Sequence, residues 1–182
     1  MATLADVYLK SEQELIEKLY DKIENNIREI KKIPYLDSDG NPKEEALEYF
    51  VITQDSITFN KKHGTKRKDK ISPKELKDAL KLSLRTGGDV TKAKIKKMYG
   101  KSTFAGTPLA LFLNIVVDDI VKKSIVGEEI YHQTFGNSLI EGMELDNDFM
   151  LLKTLDDTKK VSMNYVTLTP ADESKIKSRI SG

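Results

Sequence analysis

The strongest folding constraint in the sequence is an apolar stripe between Thr107 and Val121. Its members recur at helical spacing, at Leu109, Phe112, Leu113, Val116, Val117, Ile120 and Val121. This spacing predicts an α-helix with a wide buried face. Thr107–Pro108 is a typical helix start, and a start near Ser102 is the alternative. Because so apolar a helix must be covered by other elements, we expect it at the centre of the core.

Two further helices are predicted just before this stripe. Ser72–Glu75 forms a capping box with Pro73 at the first helical position, and Gly87–Gly88 is a typical stop signal. A short second helix, capped by Thr91 or Asp89, is expected to run through Tyr99. The three helices together form a central helical unit.

A long helix is predicted at the N-terminus. Ser11–Glu14 has the composition of a capping box, and the helix should end near Lys32, before Pro34. Its apolar positions are Leu15, Ile16, Leu19, Tyr20, Ile23, Ile27 and Ile30. The pattern favours a helix that packs on the core over one that forms a coiled coil.

Two pairs of segments rich in β-branched and aromatic residues predict β-hairpins. The first is Tyr49–Thr53 with Ser56–Asn60, and the second is Met150–Leu155 with Lys160–Val166. Hairpins and helices that follow one another in this order indicate an α+β fold.

The remaining C-terminal sequence has weaker signals. Residues 124–147 show poor periodicity and contain three glycines, so we expect an irregular stretch. A short terminal helix should begin at Thr169–Pro170, with Ile176 and Ile180 on one side. We therefore expect a single domain over residues 1–182. It comprises an N-terminal helical segment (1–34), a hairpin plus three-helix basic core (47–123), and a C-terminal part (124–182) with the irregular stretch, a hairpin and a helix.

The net charge of +1 conceals a strong asymmetry along the chain. Residues 1–60 carry 7 Lys and Arg against 13 Asp and Glu, a net charge of −6. Residues 61–101 carry 15 against 4, a net charge of +11, and residues 102–182 carry 8 against 12, a net charge of −4. A basic segment of this kind indicates a partner rich in negative charge.

The order of hairpin and three helices resembles a winged helix-turn-helix, in which one helix enters the major groove of DNA. The predicted phosphate-contacting residues are Lys66, Arg67, Lys68, Lys92, Lys94, Lys96, Lys97 and Lys101. The third helix offers only Asn114 for reading bases, and it contains no arginine. We therefore expect a non-catalytic DNA-binding or DNA-associated regulatory protein that contacts phosphates and has little sequence preference.

Two alternatives stay open. The basic face could dock an acidic or nucleic-acid-binding partner protein, since an acidic protein surface attracts the same lysines. A Mg²⁺-dependent nuclease would use Asp146 or Asp148 with Asp157 and Lys159, which have the residue types of such sites. Asp157 lies in a predicted turn, however, where aspartate is common for structural reasons.

The sequence indicates no cofactor and no metal site. It has no cysteine, and Thr86–Asp89 lacks the spacing of a phosphate-binding loop. Asp37, Asp39, Asn41 and Glu48 fit an EF-hand register, but Pro42 stands where that loop needs glycine. His63 and His132 have no catalytic motif around them; we expect the first to be exposed or near phosphate and the second to be half-buried.

The sequence also lacks the features of a membrane or secreted protein. Its most apolar stretch, Pro108–Val117, is too short to cross a bilayer, and residues 1–10 do not resemble a signal peptide. We expect a cytoplasmic protein with no membrane partner, whereas the oligomeric state is not indicated.

Overall fold

A computed structural model describes residues 2–29, 33–36, 39, 41–52, 57–61, 68–88 and 103–181. For residues 27–29, 33–36, 42–52, 57–61, 68–70 and 103–108 it describes the backbone alone. The elements in chain order are α1 (Leu4–Glu29), β1 (Ile33–Leu36), β2 (Pro42–Ile52), β3 (Ile57–Lys61), β4 (Lys68–Ile71), α2 (Pro73–Arg85), α3 (Thr103–Ile115), α4 (Val117–Lys123), β5 (Glu129–His132), β6 (Gly136–Met143), β7 (Phe149–Lys153), β8 (Thr158–Ser162), a 3₁₀ turn (Met163–Tyr165) and α5 (Pro170–Ser181). The α+β class is confirmed.

The chain divides into two compact units. The first unit contains residues 1–18, 81–88 and 119–182, and the second contains residues 19–80 and 89–118. Helices α1 and α2 each contribute residues to both units. Since these helices are continuous, the division does not decide whether residues 1–182 fold as one domain, and that expectation stays a prediction.

The second unit contains a four-stranded antiparallel sheet in the order β1-β2-β3-β4. The first predicted hairpin is confirmed, because Phe50 pairs with Phe59 and Ile52 with Ile57. Strands β1 and β4 were not predicted, since each has only four residues and lacks an alternating apolar pattern. Helix α3 packs against both of these strands. The core of this unit includes Leu19, Ile23, Ile71, Leu76, Leu80, Leu109, Phe112 and Leu113.

The N-terminal helix is confirmed, but its predicted start was wrong. Thr3 and Asp6 form the actual capping box, in which each backbone N–H donates to the other side chain at 3.1 and 3.2 Å. Ser11 lies two turns inside the helix, where its hydroxyl donates to the carbonyl of Val7. A sequence with the composition of a capping box can therefore lie inside a helix, and for this reason the helix was predicted to start too late.

Helix α2 follows its sequence signals. The backbone N–H of Glu75 donates to the Ser72 hydroxyl at 3.0 Å, and Glu75 accepts from the N–H of Ser72. Gly88 ends the helix with a φ of +96°, and its N–H donates to the carbonyl of Ser83. A Cβ at Gly88 would approach a methyl carbon of Val121 to 2.6 Å, so both the conformation and the space favour glycine there.

The apolar stripe of the third predicted helix falls on two helices. Helix α3 begins at Thr103, which agrees with the alternative start near Ser102, and the helical path breaks at Val116 before α4. Leu109, Phe112, Leu113, Val116 and Ile120 are buried as expected, whereas Val121 is half exposed. The short second helix predicted for residues 91–99 lies outside the described residues, so the winged-helix arrangement stays a prediction.

The first unit contains a second four-stranded antiparallel sheet, in the order β5-β6-β7-β8. The second predicted hairpin is confirmed by β7 and β8, where Met150 pairs with Val161. The expectation that residues 124–147 are irregular was wrong, because they contain β5 and β6. Glycines at the start of β6 and at its bulge, Gly136 and Gly142, obscure the alternation of these strands.

The C-terminal helix begins as predicted. The Thr169 hydroxyl accepts a hydrogen bond from the N–H of Asp172 at 3.1 Å, and Pro170 is the first helical residue. Ile176 and Ile180 are buried. Among the residues that the structure describes, no helix is long and apolar enough to cross a membrane.

Candidate functional site

The predicted phosphate-contacting residues lie mostly outside the described part of the chain. Lys68 begins β4, and its backbone pairs with Asn60 on β3. The others are Lys66, Arg67, Lys92, Lys94, Lys96, Lys97 and Lys101, and they stay a prediction. The structure does describe the elements that flank them. Residues 62–67 connect β3 to β4, and residues 89–102 connect α2 to α3.

Both basic stretches belong to the second unit. This unit carries 18 Lys and Arg against 14 Asp and Glu, a net charge of +4. The first unit carries 12 against 15, a net charge of −3. The second unit therefore contains most of the basic segment together with the acidic residues 19–60, which carry 5 Lys and Arg against 9 Asp and Glu.

An acidic part of β2 borders the end of the sheet from which residues 62–67 leave. Lys61, the last residue of β3, pairs with Leu47, whereas β2 begins at Pro42. Glu44 and Glu45 thus lie in the part of β2 that extends past the paired end of β3. We expect the negative charge of Glu44 and Glu45 to oppose a polyanion that binds at this end of the sheet.

Helix α3 packs its apolar side chains into the core. Of its residues whose side chains are described, Leu109, Ala110, Phe112 and Leu113 are buried, and Asn114 is exposed. A helix that reads bases presents several polar side chains to the groove. The described part of α3 has a single such side chain, and the expected weak sequence readout stays a prediction.

A buried charged network that the sequence analysis missed lies in the first unit. Arg85, at the end of α2, is completely buried and donates two hydrogen bonds of 2.9 Å to the carboxylate of Glu12 on α1. The same guanidinium donates to the backbone carbonyls of Glu144 and Asn147, at 2.5 and 2.8 Å. The hydroxyl of Tyr8 donates to Glu12 at 2.5 Å. The network thus ties α1 and α2 to the loop between β6 and β7.

Burial and neighbouring charges shift the pKa values of Arg85 and Tyr8 in this network. Burial disfavours the Arg85 cation, but the hydrogen bonds that Arg85 donates to Glu12 and the negative charge of Glu12 outweigh burial and raise the pKa of Arg85. Burial, together with the charge of Glu12, raises the pKa of Tyr8 well above its ordinary value. Because Arg85, Glu12 and Tyr8 are shielded from solvent, we interpret the network as structural.

A signal for this network exists in the sequence. Glu12 lies one helical turn after Tyr8 and one before Ile16, in phase with the buried face of α1. A carboxylate on a buried face needs a charged or hydrogen-bonding partner. The sequence could therefore have indicated that Glu12 is paired, although it could not have identified Arg85.

The carboxylates of the nuclease hypothesis do not form one site. Asp146 and Asp148 precede β7, whereas Asp157 follows it in the turn before β8. A five-residue strand separates these positions by about 15 Å, whereas two ligands of one Mg²⁺ lie about 2 Å from the ion. Asp157 instead forms an ion pair of 3.2 Å with Lys159. Asp146 or Asp148, Asp157 and Lys159 therefore do not form the single metal site that the nuclease alternative requires.

The other candidate ligands also have structural roles. His132 is half-buried as expected; its Nδ1 accepts from the N–H groups of Thr134 and Phe135, and its ring stacks on Phe135. In the EF-hand register, the positions from Pro42 onward belong to strand β2, which is incompatible with a calcium-binding loop. No group of acidic or histidine side chains suited to a metal ion occurs among the described residues. His63 lies outside them.

Comparison of the chain with models of protein families, with curated proteins and with solved structures found no match.

Proposed function

We propose that this is a cytoplasmic, non-catalytic protein that binds duplex DNA through a lysine-rich surface and acts in its regulation. The phosphate-contacting residues are Lys66, Arg67, Lys68, Lys92, Lys94, Lys96, Lys97 and Lys101. The observation that supports the proposal is the net charge of +11 over residues 61–101, all but eight of which belong to the second unit.

The expected mode of binding follows from the residue types. Lysine ammonium groups near phosphates release condensed counterions, which gives an affinity that falls steeply with salt. Lysine is a point charge, whereas arginine has a planar fork that suits guanine. Only Arg67 among the eight residues offers such a fork. Binding therefore depends on phosphate contacts, and affinity for unrelated duplexes should be similar.

The proposal is tested by titrating a fluorescent duplex with the protein at low salt and following anisotropy. Reversing the charges of Lys94, Lys96 and Lys97 to Glu should lower the affinity by at least about tenfold, since several phosphate contacts are lost. A matched control reverses the same number of exposed lysines in the first unit, namely Lys10, Lys122 and Lys177. The control should bind nearly as well as the parent protein.

The other outcomes identify the alternatives. Equal losses in both triple variants would show that net charge, and not the proposed surface, determines binding. Preferential binding of RNA would show that RNA, and not DNA, is the partner. Absence of binding to either nucleic acid would overturn the proposal. A pull-down repeated after nuclease treatment would then test whether the protein instead binds an acidic or nucleic-acid-binding partner protein. Such a partner would still be captured after the nucleic acid has been digested.

A further inference from the structure

The turn between β5 and β6 is closed by a histidine side chain. His132 ends β5 and pairs with Gly136, the first residue of β6, so that residues 133–135 connect the two strands. The Nδ1 atom of His132 accepts from the backbone N–H of Thr134 at 3.0 Å and from that of Phe135 at 3.3 Å. In many turns an asparagine or aspartate oxygen accepts from the backbone N–H two residues later. A ring nitrogen takes this role here.

Both hydrogen bonds require a neutral ring. A ring nitrogen that accepts a hydrogen bond carries no proton, so the proton of the neutral ring is on Nε2. In the imidazolium both nitrogens are donors. Protonation would therefore set an N–H of His132 against the N–H groups of Thr134 and Phe135, and neither hydrogen bond could persist. Histidine is the side chain whose charge changes most readily between pH 5 and pH 8, and His132 is only half-buried, so solvent can supply the proton.

Phe135 and a lysine of β8 both affect the charge of this ring. The Phe135 ring stacks on His132 with the ring centroids 4.6 Å apart, and the Nζ of Lys159 lies 5.9 Å from the Phe135 centroid. An aromatic face attracts a cation, but Lys159 already lies over this ring and would repel an imidazolium beside it. Asp157 offsets part of that repulsion, since it forms an ion pair of 3.2 Å with Lys159. Phe135 therefore supports the imidazolium less than an unoccupied ring would.

The other charged groups near this turn belong to α5 and β5. Asp172 of α5 accepts from a backbone N–H of β5 at 2.9 Å and forms an ion pair of 3.5 Å with Lys175. Glu129 lies at the other end of β5, and the alternation of the strand directs it to the face opposite His132. The first five residues of β6 carry no charge. Because Asp172 already has two partners, the hydrogen bonds to Nδ1 are the interactions that distinguish the neutral ring from the imidazolium.

We propose that His132 is a pH-sensitive switch and that its protonation opens the turn between β5 and β6. With a neutral ring, Nδ1 holds the N–H groups of Thr134 and Phe135; with a protonated ring, the turn loses both bonds. The change is confined to the turn, because the strands on either side are anchored by the fully buried Ile130 and Ile140. The proposal does not depend on DNA binding.

Amide hydrogen exchange of the full-length protein, followed by NMR between pH 8 and pH 5, tests this proposal. Each rate is divided by the rate of an unstructured amide at the same pH, which gives a protection factor. The protection of Thr134 and Phe135 should fall about fivefold or more as the pH is lowered, the factor that corresponds to one ordinary hydrogen bond. The ring signals of His132 should change over the same pH range. The amides of the central strand β7 should keep their protection.

Three substitutions separate the acceptor from the titration. In His132→Asn the side-chain oxygen is as many bonds from the backbone as Nδ1, so it can accept the same hydrogen bonds, but it does not titrate. This variant should keep the turn protected at both pH values. His132→Ala removes the acceptor and should leave the turn unprotected at both. His63→Gln leaves His132 as the single histidine of the chain and should behave as the parent does.

Several results would overturn the proposal. One is protection of Thr134 and Phe135 that stays constant while the His132 ring titrates, and another is a ring that stays neutral down to pH 5. A transition that persists in His132→Asn would show that another group opens the turn. A simultaneous loss of protection in β7 would show that the whole sheet responds, and not the turn. His132→Ala as well protected as the parent at pH 8 would show that Nδ1 does not hold the turn.

Discussion

The guanidinium of Arg85 donates two hydrogen bonds of 2.9 Å to the carboxylate of Glu12, which lies 73 residues earlier in the chain. Neither side chain is more than 4% exposed. The pair joins the N-terminal part of α1 to the C-terminal end of α2, both within the first unit. Isolated charges are very costly to bury, so each residue is tolerated there because of the other.

Breaking this pair should strongly destabilise the protein. Arg85→Met leaves the Glu12 carboxylate buried without its cation, and Glu12→Met does the reverse. Each should lower the free energy of unfolding by about 3–5 kcal/mol. The double variant should cost much less than the sum, because it leaves no unpaired charge. Urea unfolding of all four proteins measures the coupling.

Arg179 provides a matched control for this cycle. It forms an ion pair of 2.9 Å with Glu128 but is about one-third exposed. Arg179→Met should therefore cost about 1 kcal/mol. Comparable losses at Arg85 and Arg179, or additive effects of the Arg85 and Glu12 substitutions, would contradict the account of a coupled buried pair.

The hydroxyl of Tyr8 should make stability sensitive to alkaline pH. Burial raises the pKa of Tyr8 in the folded protein above its ordinary value of 10.0, so folding favours the neutral phenol. The corresponding stabilisation is fully present below pH 10 and is lost as the pH rises above it, where the unfolded chain releases this proton. The free energy of unfolding of the parent should thus fall more steeply above pH 10 than that of Tyr8→Phe.

Tyr165→Phe is the control for the tyrosine prediction. Tyr165 is 85% exposed, so its substitution should leave the alkaline slope unchanged. At neutral pH, Tyr8→Phe should lose about 1–3 kcal/mol of stability, because it removes a hydrogen bond to a charged group. Identical alkaline slopes for the parent and Tyr8→Phe would show that Tyr8 does not govern this pH dependence.

Strong local signals predicted much of the fold. The capping box at Ser72–Glu75, the stop at Gly87–Gly88 and the helix start at Thr169–Pro170 all correspond to observed helix ends. The β-branched and aromatic residues around Phe50 and Phe59 predicted the first hairpin, in which these two residues pair. In each case the residues that determine the structure are close together in sequence.

Features that depend on distant residues were not predicted. Strand β5 has four residues and is held by backbone pairing to β6 and by Asp172 of α5, 41 residues after its partner Tyr131. The break between α3 and α4 at Val116 interrupts an unbroken apolar stripe, so periodicity could not indicate it. The Arg85–Glu12 pair requires two helices to meet. The candidate DNA interface was predicted from charge and from the order of the hairpin and three helices, and its lysines lie largely outside the described residues.

The acidic residues of β2 should weaken DNA binding. Glu44 and Glu45 border the end of the sheet from which the basic residues 62–67 leave. Glu44→Gln with Glu45→Gln removes two negative charges from this part of β2, and salt screens the effect of such charges on a polyanion. We expect duplex affinity to rise severalfold at low salt and the gain to shrink at high salt. Glu14→Gln with Glu17→Gln, two exposed residues of α1 in the first unit, is the control for net charge. Equal gains in affinity for both double variants would show that net charge, and not the position of Glu44 and Glu45, determines the effect.

The salt dependence of duplex DNA affinity tests the central claim most directly. The logarithm of the association constant should fall linearly with the logarithm of salt concentration, with a slope of about −0.9 for each phosphate contacted. Replacing Lys94, Lys96 and Lys97 by Glu should make this slope flatter by up to about 3. No binding at low salt, or a slope that these substitutions leave unchanged, would contradict the proposed phosphate-contacting surface.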